Sequence, residues 1–100
     1  MLWVIICTDN PDTASARAEH LAPHRAYLAG QSDKLVLAGA TLSDDGESMT
    51  GSCFVLNVES REEAQAFSQG DPFTQAGIFQ SVSIRRMRKG QWNPEVAAGA

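Results

Sequence analysis

One hundred residues suffice for a single domain, and 43% of them are hydrophobic, enough for one compact core. Eight basic against twelve acidic side chains leave a net charge of -4, which disfavours non-specific binding to nucleic acid. No apolar run reaches the ~18 residues of a membrane span, the opening Leu2-Trp3-Val4-Ile5-Ile6 carries no export signal, and Cys7 and Cys53 suggest no disulfide framework, so a reduced, cytoplasmic protein is expected.

Leu2 to Thr8 is apolar at successive positions and reads as a strand buried on both faces. Asp9-Asn10-Pro11-Asp12 stops it, and Asp12 or Thr13 is positioned to cap a helix running to about Gly30. Ala14, Ala18, Leu21, Ala22, Arg25 and Leu28 form that helix's stripe, while Pro23 predicts a kink or a later start. Lys34 to Ala40 is a second strand, Thr41 to Gly51 a polar connection, and Ser52 to Val58 a third strand. Ser60-Arg61-Glu62-Glu63 is a capping box that opens a short helix to Gln69, with Gly70 at its C′ position. Asp71-Pro72-Phe73 predicts a stiff turn, Ile78 to Met87 a last strand, and Gly90 to Ala100 a loose tail with Trp92 as its anchor.

The order β-α-β-β-α-β is the split βαβ pattern of an α+β, ferredoxin-like fold. It predicts a four-stranded antiparallel sheet of order 4-1-3-2 with both helices on one face. The first and third strands are apolar on both faces, and two helices hide only one side. A second copy on the open sheet face is therefore expected, giving a homodimer.

This topology gathers Asp9, His20, the Gly39 turn with its polar loop, and Asp71 towards one end. Histidine exchanges protons near neutral pH, and a neighbouring carboxylate orients its ring, so His20 and Asp71 are the candidate catalytic pair. Each residue alone has an ordinary explanation, as a satisfied histidine on a helix flank and as a turn aspartate. Other readings are weaker. His20 and His24 are four apart, as helical zinc ligands often are, but the Glu of the metalloprotease motif is missing. No metal or other cofactor is called for. Cys7 as a nucleophile is disfavoured by its buried strand. Arg85-Arg86-Met87-Arg88-Lys89 reads as a charged edge strand more readily than an anion grip, and Ser43-Asp44-Asp45-Gly46-Glu47 lacks calcium-loop spacing.

Several of these segments together resemble a known family. Asp9-Asn10-Pro11, Arg17-Ala18-Glu19-His20-Leu21, Ala38-Gly39, Thr50-Gly51 and Asp71-Pro72-Phe73-Thr74-Gln75-Ala76-Gly77-Ile78-Phe79 are similar to the YciI-like (YCII-related domain) family, over residues 1–89. The resemblance implies a dimeric α/β barrel built from the ferredoxin-like unit, like that of the muconolactone isomerases, with residues 90–100 as a tail. It also implies a His–Asp active site, carried here onto His20 and Asp71, and one branch of the family resembles an enzyme that removes chloride from chlorinated hydroxyquinols.

The expected protein is thus a cofactor-independent lyase or isomerase acting on a small cyclic or unsaturated organic acid. His20 would serve as general base or acid, Asp71 as its orienting group, Asp9, Gly39, Thr41 and Ser43 as substrate contacts, and Phe73 as the pocket wall. The alternative is a non-catalytic dimeric domain that binds a small ligand, with the His–Asp pair merely satisfying itself.

Overall fold

β1 (Leu2–Asp9), α1 (Ala14–Gly30), β2 (Leu35–Leu42), β3 (Met49–Asn57), α2 (Arg61–Gly70), α3 (Pro72–Gln75) and β4 (Phe79–Met87) follow one another in the computed structural model, which describes residues 1–100. The strands form one antiparallel sheet in the order β2-β3-β1-β4, which is the expected order read from the other edge. The fold is α+β and ferredoxin-like, with a third, one-turn helix where a turn was expected.

Period-two alternation sends Trp3, Ile5 and Cys7 of β1 to the helix-covered face. The β1–β3 register sets Trp3 opposite Leu56 and Ile5 opposite Phe54, and Val58, Ala64 and Phe67 close the core over them. Burying each large side chain contributes roughly 1.5–3 kcal/mol. Gly51 faces β1 so closely that a Cβ there would collide with the Cys7 carbonyl oxygen, so only glycine lets β3 pair tightly at this point.

The departures from expectation have local causes. Pro23 neither breaks α1 nor delays it; its side chain is exposed, while Arg17 and His24 bury the opposite face of the helix. Thr13 stands at the N-cap, but its hydroxyl donates to the Asn10 carbonyl at 3.0 Å rather than accepting from the helix. β2 and β3 extend further into the polar connection than expected, to Leu42 and from Met49. The Ser60 hydroxyl accepts from the Glu63 amide at 3.2 Å, and the Glu63 carboxylate reaches back to the Glu59 amide at 3.1 Å. Gly70 is the last residue of α2 rather than its C′ residue, because Asp71 ends α2 and caps α3 at once.

On the other face of the sheet, Leu2, Val4, Ile6, Leu37 and Val55 lie side by side, with Ile6 41% and Leu37 63% exposed. Trp92 does not anchor the tail by burial; it is 60% exposed and borders a groove of about 340 Å³ with Leu37, Val55 and Met87.

Candidate functional site

The α2–α3 junction builds the first half of the site. Pro72 at the first position of α3 has no amide to satisfy, and the Asp71 carboxylate accepts the Phe73 amide at 2.9 Å. This cap fixes the carboxylate, which is 1% exposed, and points it at α1. Gly77, with φ of 73°, turns the chain after α3, and Asn10 then ties this turn to the end of β1 through bonds to the Gly77 and Ile78 carbonyls.

The histidine that meets Asp71 is His24, not His20. Its Nδ1 lies 2.7 Å from Asp71 Oδ1, and its ring stacks on Phe73 with centroids 3.8 Å apart and planes within 5°. His20 is only half-buried, one helical turn earlier, and is not a partner of Asp71. Helix geometry explains the correction. Seven residues are two turns, so His24 lies almost directly in line with Arg17, whereas His20 falls about 60° to one side. The face that packs on the sheet is thus Arg17, Leu21, His24 and Leu28, not the expected stripe, of which Ala14, Ala18, Ala22 and Arg25 are exposed.

A carboxylate can only accept at Nδ1, so the neutral ring carries its proton there and presents its lone pair at Nε2. Nε2 has no protein partner and is not sealed from solvent. Asp71 Oδ2, by contrast, is buried without a hydrogen bond. The arrangement can accept a proton at Nε2 and stabilise the resulting imidazolium through Asp71.

Arg17 and Asp9 form a second buried pair beside it. Arg17 Nε and Nη2 donate to the two Asp9 oxygens at 2.7 and 2.9 Å, and Nη2 also reaches the Gly51 carbonyl at 2.8 Å and Ser52 Oγ at 3.1 Å. The guanidinium lies 5.1 Å from the Phe73 ring centroid. This pair joins α1 to β1 and β3 and backs the ring that backs His24. Composition gave no hint of it, although Arg17 and Asp9 both stand in the segments singled out above.

A cleft of about 380 Å³ opens beside His24, between α1 and the β2–β3 edge. Gly39 and Phe73, expected at the site, both line it, with Arg17, Ser52 and Phe54. Three other expected contacts do not. Asp9 is expended on Arg17, Thr41 Oγ1 bonds Thr50 Oγ1 at 2.9 Å further along the hairpin, and Ser43 donates to Asp45 at 2.6 Å within its own turn. The Ser43 hydroxyl and the Glu47 amide hold the Asp45 carboxyl below its usual range.

Burial, reinforced by the nearby charge of Asp71, pushes the Cys7 thiol up to about 12, which keeps it protonated and inert. The same two causes raise Tyr27, whose hydroxyl donates to the Phe67 carbonyl at 2.9 Å. No third metal-ligating side chain joins His20 and His24 in a group that could hold a metal ion.

The model of the YCII-related domain family matches residues 1–88. Protein YciI of Escherichia coli O6:H1 is 34% identical over 98 residues, covering 89% of this chain and 98% of the relative. An uncharacterized protein of Haemophilus influenzae is 28% identical over the same shares. Among solved structures, 5-chloro-2-hydroxyhydroquinone dehydrochlorinase from Burkholderia phenoliruptrix, in complex with 2,5-dihydroxybenzoquinone, is similar at a TM-score of 0.82 and 35% identity, covering 90% of this chain and 96% of that one.

Proposed function

Since the chain belongs to the YCII-related domain family, we propose that it is a small-molecule enzyme in which His24 moves a proton at the substrate and Asp71 holds the ring in register. The reading rests on one observation: a histidine bonded to a buried carboxylate through Nδ1 at 2.7 Å, with Nε2 unpartnered beside a cleft. Nε2 takes a proton from a small cyclic or unsaturated organic acid bound in the cleft. The electron pair left on the substrate either expels a leaving group such as chloride, which is elimination, or is reprotonated elsewhere by the imidazolium, which is isomerisation. Both outcomes balance without a cofactor. The dehydrochlorinase among the similar structures favours elimination.

The test is chloride release from 5-chloro-2-hydroxyhydroquinone. Wild-type protein should release chloride, and His24→Gln should slow it by about a hundredfold or more. Full activity in His24→Gln would remove the reading.

The same proposal includes a homodimer through the open sheet face and work in the cytoplasm. The exposed Ile6 and Leu37 support the first. Cys7 and Cys53, free and set on opposite faces of the sheet, are in keeping with the second. No helix is long and apolar enough to cross a membrane. Sedimentation should give a dimer for wild type and a monomer for Ile6→Glu; a wild-type monomer would exclude this assembly.

A further inference from the structure

The cleft beside His24 is charged unevenly. Three of its lining side chains are cationic or can become so, Arg17, His24 and Arg25, and none is acidic. Arg17 has Asp9 at 2.7 Å and His24 has Asp71 at 2.7 Å. Arg25 is exposed and has no such partner within the chain. Its neighbours one turn away on α1 are Leu21, Ala22, Leu28 and Ala29, so its own helix cannot neutralise it. Facing it across the cleft, β2 offers only Ala38, Gly39 and Ala40, none of which carries a charge. The space is open, one wall is the aromatic pair Phe54 and Phe73, and one unpaired positive charge stands on its lining.

We infer that Arg25 is the specificity-determining residue of this cleft and selects a flat ring that carries a negatively charged oxygen. The inference rests on the reading of the cleft as the substrate site, and it adds the residue that recognises the substrate's charge. Arg25 donates to the oxyanion, the apolar lining of the cleft receives the ring, and His24 Nε2 is left to the reacting atom. A ring of the same shape without the charge leaves Arg25 in water and gains only the apolar contacts. Because Arg25 is exposed, its replacement leaves the core intact.

Calorimetric titration tests this with two probes at neutral pH: 2,5-dihydroxybenzoquinone, a vinylogous acid that is ionised there, and hydroquinone, a neutral ring of similar size. Wild-type protein should bind the anion more tightly, with an affinity that falls as salt is added. Arg25→Gln should weaken the anion by roughly ten- to a hundredfold, the range of a charge-assisted hydrogen bond, and remove the salt dependence. Hydroquinone binding should change less than about twofold, and Arg25→Lys should restore part of the anion's affinity, since it keeps the charge but not the fork. Equal losses on both rings, or undiminished anion binding in Arg25→Gln, would overturn the assignment. His24→Gln separates it from the catalytic reading: anion binding should persist there while turnover is lost. Wild-type protein that binds neither ring would instead overturn the cleft as the substrate site, and this inference with it.

Discussion

Two buried carboxylates meet the same face of α1 two turns apart, and they are wired differently. Asp9 has both oxygens taken by Arg17, whose guanidinium also serves Gly51 and Ser52. Asp71 accepts His24 and the Phe73 amide through one oxygen, while its other oxygen is buried and unpartnered. His24 in turn keeps Nε2 free. In the Asp9–Arg17 pair no carboxylate oxygen is left over and only Nη1, with Met49 Sδ at 3.8 Å, lacks an oxygen partner, so the pair acts as a fastener. An unsaturated pair retains one group able to exchange a proton, which is what catalysis requires.

Breaking each pair should therefore have opposite signatures. Arg17→Ala leaves the Asp9 carboxylate buried and unpaired, and chemical denaturation should show a loss of about 3–5 kcal/mol. Asp71→Asn should leave the fold largely intact but slow turnover by roughly a hundredfold or more, because an amide can present its N–H to Nδ1 and so stabilise the wrong tautomer. If Asp71→Asn instead unfolded the chain with activity per folded molecule unchanged, the two pairs would be equivalent. Phe73→Leu touches both pairs, since that ring stacks on His24 and lies beside the Arg17 guanidinium. A stability loss of about 1–3 kcal/mol is expected, with a further fall in turnover that stability does not account for.

The smallest effect is one of pH. Cys7 is raised from 9.0 to about 12 in the folded chain, so between those values the unfolded chain releases a proton that the folded chain keeps. Stability from this source is complete below pH 9 and is lost as pH rises towards about 12. Tyr27, also raised, acts in the same direction. Cys7→Ala should flatten the alkaline limb of a denaturation series; an unchanged limb would assign it to other groups.

Much of this is legible in the amino-acid sequence. The apolar run Leu2–Thr8, the capping box at Ser60 and the Asp-Pro-Phe signature reported local preferences that tertiary contacts did not override, although only Trp3, Ile5 and Cys7 of that run are buried within the chain. The placement of Asp71 and Phe73 was legible because one helical turn fixes both. The histidine was misplaced by one turn because His20 and His24 are four apart and share a helix flank. Only the docking of α1 on the sheet distinguishes them. Pro23, read as a disturbance, stands harmlessly on the solvent side. Asp9, Thr41 and Ser43 were assigned to substrate by proximity, yet their polar atoms are consumed by Arg17, Thr50 and Asp45. Such pairings are long-range or depend on hairpin geometry, and residue type alone does not report them.

The chain has only two histidines, so a long-range proton–nitrogen correlation spectrum resolves both rings and reads their tautomers directly. His20→Gln and His24→Gln assign the signals. His24 should be found with its proton on Nδ1 and should shift when 2,5-dihydroxybenzoquinone is added, while His20 stays unmoved. A His24 ring protonated at Nε2 in its neutral form, or a ligand response confined to His20, would contradict the account.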